Sequence, residues 1–206
     1  MSSGRQMIPP KQERSEESTR RLLDAAVELV AEAGYAGMTL AATGDRAGYS
    51  RGLVTTRFGN KENLLRALID RLGERWWPYF EHPPAGADGL HELLALVQAV
   101  GAGVASDPVA HRALQRLIFE RAVGPVDELQ QQFALSATGI VADVARIIER
   151  GRDDGSIRTD ADPARVAALV IASMRGISYQ WFLHPDTVDM EAMHDELAVH
   201  LERALS

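Results

Sequence analysis

Apolar residues in the first third of the chain recur at helical spacing. Leu22, Ala26, Leu29, Val30 and Ala33 fall at i, i+4, i+7, i+8 and i+11, one stripe of a 3.6-residue helix. Ser18 or Thr19 can cap its start, and Gly34 stands where such a helix turns left-handed and stops. Three shorter units follow. Thr39 caps Leu40 to Ala47 and Gly48 breaks it; Ser50 caps a helix to about Phe58 and Gly59 breaks it; Asn60 caps a fourth helix with Leu64, Leu65, Leu68, Ile69 and Leu72 on one stripe. No strand-like alternation interrupts the series.

Beyond Pro78 the helices lengthen. Pro83-Pro84 and Gly86 mark a loop. Helical patterns then cover roughly Gly89 to Ala105, Pro108 to Val123 and Pro125 to Arg150, and Gly151 to Ala161 reads as a loop rich in Asp and Gly. Asp162-Pro163 is a cap with proline at the first helical position. The next helix has Val166, Leu169, Val170, Ser173, Met174, Ile177 and Trp181 on one side and ends before Pro185. Asp189 caps the last, with Met193, Leu197, Leu201 and Leu205 at four-residue steps. The pattern predicts an all-α protein of nine helices, with residues 1–18 as a flexible polar arm, 19–65 as a small helical domain and 66–206 as a larger one.

Composition fits a soluble globular protein: 46% hydrophobic and 25% charged residues. The apolar runs are short and interrupted by polar residues, and the N-terminus has no secretory pattern, so a cytoplasmic protein without membrane contact is expected. With no cysteine, disulfides and thiolate metal sites are excluded. Net charge is −7, which argues against nucleic-acid binding until its distribution is considered. Residues 1–72 carry eleven Lys/Arg against nine Asp/Glu, whereas the remainder carries eleven against twenty. A mildly basic head on an acidic body is repelled by DNA everywhere except at the head.

Two short helices across a glycine turn, braced by a longer helix, form a helix-turn-helix. The second short helix must protrude into a major groove about 12 Å wide. Val54 and Phe58, four apart, should face the core, which leaves Arg51, Leu53, Thr55, Thr56 and Arg57 for the groove. Either arginine can read guanine with its fork or grip phosphate. Thr39 and Ser50 cap helices whose first N–H groups can also hold phosphate. Lys61 sits at a helix start where the dipole disfavours a cation, a placement that facing DNA phosphate would explain.

The stretch from Thr19 to Leu72 resembles the TetR family of transcriptional regulators. The resemblance rests on Gly34-Tyr35, Thr39, Ala47-Gly48, Ser50, Gly52, Phe58 and Lys61-Glu62-Asn63-Leu64, in order and at the family's spacing. A weaker match is the loop of Gly155, Ile157, Arg158, Asp160, Asp162 and Pro163. Three departures stand out: Thr55 where the family carries a phosphate-touching Tyr, Arg57 where it carries His or Tyr, and Thr43-Gly44 for Ile-Ala. Gly44 inside a helix should cost about 1 kcal/mol relative to Ala.

The resemblance implies a ligand-responsive repressor: a homodimer on a near-palindromic double-stranded operator, released by a small-molecule effector. It implies an effector pocket in the larger domain, for which Trp77, Phe80, Phe119, Phe133, Met174 and Tyr179 are candidates, and pairing of the last two helices with a second copy. Recognition helices about 34–36 Å apart would then reach successive major grooves. No nucleophile elbow, phosphate loop, dinucleotide fingerprint or metal motif occurs, so no enzyme activity, cofactor or metal is expected. The alternative from another class is an all-helical small-molecule-binding protein or enzyme that has lost specific DNA binding.

Overall fold

Helix α1 runs from Lys11 to Gly37, kinked at Gly34 where φ is 70°. The computed structural model describes the backbone of residues 11–81, 86–123 and 128–206, and the side chains within these except those of 11, 74–81, 121–123 and 128–138. Among the described residues there are nine helices and no strand: α1, then α2 (Leu40–Ala47), α3 (Arg51–Phe58), α4 (Lys61–Glu81), α5 (Gly89–Ser106), α6 (Pro108–Val123), α7 (Glu128–Asp154), α8 (Pro163–Leu183) and α9 (Met190–Leu205). The chain divides into two compact units, residues 1–71 and 72–206.

The flexible arm expected through Ser18 gives way to helix at Lys11. Side-chain pairing accounts for the extra turns. Glu13 lies in the first turn, where the helix dipole favours an anion. Gln12 bonds Glu16 four residues on, and Glu17 takes both Arg20 and Arg21. These residues bury little, so the apolar periodicity that marks the rest of α1 is missing from them.

In the first unit α1 packs on α2 and α2 on α3. Leu22, Ala26 and Val30 of α1, Met38, Val54 of α3, and Leu64, Leu65 and Leu68 of α4 are fully buried there. Thr39, Ser50 and Asn60 cap their helices as the sequence predicts, accepting from the N–H groups of Ala42, Leu53 and Asn63.

In the second unit α5 packs against α7 and α9, α7 against α8, and α8 against α9. Leu93, Leu96, Val97, Val144, Ile148, Ala167 and Val170 form the centre of its core. By length and composition α5 and α8 are each apolar enough to cross a bilayer, and each buries part of its apolar surface in the core of this unit.

The loop expected from Gly151 instead begins after Asp154. Helix α7 continues through Gly151 and ends at Gly155, whose φ is 82°. Gly151 is a packing glycine: a Cβ there would stand 2.5 Å from Cδ1 of Ile157. Ile157 is itself buried, and the Arg158 N–H donates to the Leu205 carbonyl at 2.8 Å.

Candidate nucleic-acid interface

Helix α3 has two turns and one fully buried side chain, Val54. Phe58, expected beside it, is only partly buried. Arg51, Thr55, Thr56 and Arg57 are exposed, and Leu53 is half-buried. The Ser50 cap is exposed at the start of the helix.

The turn before α3 depends on two glycines. Gly48 closes α2 in the left-handed region at φ 76°, as its position in the sequence predicts. Gly44 was expected to weaken α2, yet its missing side chain makes the turn possible. A Cβ on Gly44 would meet the Tyr49 carbonyl oxygen at 2.8 Å and the Arg51 nitrogen at 3.2 Å. The Tyr49 N–H donates to the Gly44 carbonyl at 2.8 Å, so the chain folds directly over this residue. The propensity loss of about 1 kcal/mol is therefore offset by a close approach that Ala would block.

Ion pairs brace α2. The Arg46 guanidinium reaches Glu32 at 2.7 Å and Glu28 at 3.1 Å, both on α1. This pairing lowers the Glu32 carboxyl pKa and raises that of Arg46. Nothing in the apolar periodicity marks Arg46, because the pair spans two helices.

Two predicted interface residues have partners inside their own unit. Arg57 Nη1 donates to Ser15 Oγ at 2.7 Å and its Nη2 to Ser18 Oγ at 3.3 Å. Lys61 Nζ lies 3.9 Å from the centre of the Tyr35 ring and 3.5 Å from the Ala36 carbonyl oxygen. A cation over an aromatic face is stabilised by the ring quadrupole, so the unfavourable dipole position of Lys61 has an intramolecular compensation. The Thr55 and Thr56 hydroxyls donate back to the Arg51 and Gly52 carbonyls at 3.1 and 2.9 Å. The Arg51 guanidinium makes no hydrogen bond or ion pair among the described residues, and the side chain is exposed.

In the second unit two of the predicted pocket residues, Phe119 and Tyr179, come together. Phe119 of α6 meets Tyr179 edge-on at 5.2 Å and Phe182 at 5.9 Å, both on α8. Met174 lies in the main core cluster. The side chains of Trp77, Phe80 and Phe133 lie outside the described residues. An open groove runs along the start of α5, lined by Gly86, Asp88, His91 and Gln98 among others, and contains none of the predicted residues.

Four buried polar side chains of α6, α8 and α9 lie outside the predicted sites. His111 and Gln115, one turn apart on α6, are buried, as are Ser178 on α8 and His194 on α9. His111 meets the Trp181 ring edge-on at 5.5 Å. His194 Nδ1 lies 2.7 Å from the Met190 carbonyl, so Nδ1 carries the proton, and Nε2 has no partner among the described residues. Burial holds the pKa of His111 down to about 4, with the nearby His194 adding to the effect, and burial lowers His194 also. No group of three or more His, Cys, Asp or Glu residues is placed to hold a metal among the described residues.

The match to known proteins covers both units. Residues 22–68 match the model of bacterial regulatory proteins of the tetR family. Residues 94–206 match that of the BetI-type transcriptional repressor C-terminal domain. The chain is 26% identical over 195 residues to the HTH-type transcriptional regulator TtgR of Pseudomonas putida, covering 89% of each. Among solved structures it resembles SmeT, the repressor of the Stenotrophomonas maltophilia multidrug efflux pump SmeDEF, with TM-score 0.74, 24% identity, and 93% and 92% of the two chains covered. It also resembles FadR from Bacillus subtilis in complex with stearoyl-CoA, with TM-score 0.78, 20% identity, and 91% and 99% covered. With one family model on the helix-turn-helix and another spanning more than half of its length, the chain belongs to the TetR family of bacterial transcriptional regulators.

Proposed function

We propose that two copies of the chain form a cytoplasmic homodimer that binds a near-palindromic operator through α3, represses transcription from it and leaves when a small molecule binds the second unit. The exposed residues of α3 carry this reading: Arg51, Thr55 and Thr56 stand exposed on a helix anchored by buried Val54. The Arg51 guanidinium presents five donors in a fork that fits the two acceptors of guanine. Thr39 and Ser50 are placed to offer the N–H groups of two helix starts to phosphate.

The effector is an apolar or aromatic small molecule. Support comes from the aromatic contacts of Phe119, Tyr179 and Phe182 and from relatives in complex with triclosan and stearoyl-CoA. For release, the effector must bind the DNA-incompetent state more tightly; such coupling is typically about 1–3 kcal/mol and reciprocal.

The test begins by selecting duplexes from a random-sequence pool with the full-length protein. Affinity for the selected site is then measured at several salt concentrations, with wild type and Arg51→Ala. A specific regulator gives a palindromic consensus and a steep fall of log affinity with log salt. A base-reading Arg51 loses about 1–3 kcal/mol and relaxes preference at one position of each half-site. Equal, weak binding to every duplex would reject the reading.

A further inference from the structure

We propose that Arg57 is a positioning residue: its guanidinium fastens α3 to the first turns of α1 through Ser15 and Ser18, and operator recognition depends on that fastening. The inference rests on the reading that α3 meets DNA. Helix α3 has two turns and only Val54 fully buried. Its N-terminal end is set by the tight turn over Gly44, where the Tyr49 N–H bonds back. One buried side chain near mid-helix fixes the rotation of so short a helix weakly, and Arg57 in the last turn supplies a second point.

The geometry suits a clamp. The two Nη atoms of one planar guanidinium donate to two hydroxyls on successive turns of α1, at 2.7 and 3.3 Å, across 42 and 39 residues of chain. A planar fork held at two points has its plane and roll defined, which an ammonium would not have. The acceptors are themselves fixed. Ser18 is buried, and its hydroxyl donates to the Ser15 carbonyl at 2.9 Å, leaving lone pairs for Arg57. Thr19 also donates to that carbonyl. The carboxylate nearby in sequence does not compete, because Glu17 is taken by Arg20 and Arg21 at 2.5 and 2.8 Å. Hydroxyls in the part of α1 that precedes its apolar stripe thus join the recognition apparatus.

A charge-preserving variant separates a clamp from a phosphate contact. Arg57→Lys, Ser15→Ala with Ser18→Ala, and the combination are compared in the full-length protein. One readout is affinity for the duplex selected above across a salt series; the other is amide hydrogen exchange of α3 without DNA. A clamp predicts about tenfold weaker binding for Arg57→Lys and for the serine pair, no further loss in combination, an unchanged salt slope and faster α3 exchange. Wild-type affinity in Arg57→Lys or in the serine pair overturns it. So does a combined loss equal to the product of the two, or a salt slope reduced by about one in the variants. If selection enriches no sequence, the regulator reading fails; exchange then decides the clamp, and unchanged α3 exchange overturns it.

Discussion

Gly89 and Gly151 approach so closely that a Cβ on Gly89 would stand 2.2 Å from the Gly151 nitrogen and 2.9 Å from the Ile147 carbonyl oxygen. Here the start of α5 crosses the last turns of α7. The end of α7 and the turn beyond it also satisfy orphan N–H groups of α5: Gly89 N–H donates to Asp154 at 2.9 Å and Leu90 N–H to Ser156 Oγ at 3.1 Å. Glu92, buried one turn on, pairs with Arg150 at 2.6 Å. Backbone contact, capping and an ion pair therefore converge on one crossing. Gly89→Ala should destabilise the second unit by about 1–3 kcal/mol, because the obstacle is backbone and cannot rotate away. A lower urea midpoint with unchanged slope would show this, and a wild-type midpoint would refute the close crossing.

Gly44→Ala tests the same logic in the first unit, where helix propensity predicts the opposite sign. Propensity alone would raise stability by about 1 kcal/mol. The contact a Cβ would make with the Tyr49 oxygen at 2.8 Å predicts a net loss instead, with weaker DNA binding. Thermal unfolding of the variant decides which effect wins.

These two glycines mark how far the sequence could be read. Helix starts were legible because Thr39, Ser50, Asp162 and Asp189 act through bonds to residues two or three along the chain. The buried faces of α1 and α4 were legible because period and burial coincide. Gly44 and Gly151 looked like breakers or blemishes because the neighbours that require them are Tyr49 across a turn and Ile157 beyond a helix end. Similarly, Arg57 and Lys61 looked outward, but their partners Ser15, Ser18 and Tyr35 lie 26 to 42 residues away. The clamp and the buried polar group of α6, α8 and α9 belong to tertiary structure, and no local period encodes them.

Thr43 is fully buried and its Oγ1 has no hydrogen-bond partner among the described residues. A buried hydroxyl without a partner carries a desolvation cost of about 1–3 kcal/mol. Val has nearly the same shape and no such group. Thr43→Val should therefore raise the melting temperature of the protein and leave specific DNA affinity unchanged. A lower melting temperature would mean that the hydroxyl is satisfied in solution.

The buried histidines make stability depend on pH. His111, held at about 4 against 6.5 for the free ring, binds a proton less readily in the folded state than in the unfolded state. The folded state is then favoured while both forms are neutral, and the advantage fades as pH falls from about 6.5 toward 4. A shift of this size is worth on the order of 3 kcal/mol at its limit. His194 is lowered too and acts in the same direction. Exposed His91, raised by Asp88, opposes it, but solvent screens that pair. Urea midpoints should decline between pH 6.5 and 4, and His111→Phe should flatten the decline. An equal slope in the variant would assign the pH dependence to other groups.

Helix α8 exposes apolar surface that is not covered among the described residues. Leu169 is 67% exposed, Tyr179 and Leu183 are exposed in the same way, and Met193 of α9 is exposed as well. Ala172 and Gly176 lie between them on α8, and a Cβ at Gly176 would meet nothing within 4 Å. Small residues between larger apolar ones allow a second helix to approach closely. The sequence pattern had put Leu169 on the same side as Val170 and Met174; the structure buries those two and turns Leu169 outward. If this face joins two copies about a twofold axis, each Leu169 is buried on association. Leu169→Glu would then place a charge in each half of an apolar contact, and the desolvation cost would be incurred twice per dimer. Light scattering should find the variant monomeric at concentrations where the wild type is dimeric. Its operator affinity should fall in parallel, since a monomer contacts one half-site. A variant that stays dimeric and binds normally would place the subunit contact on another face.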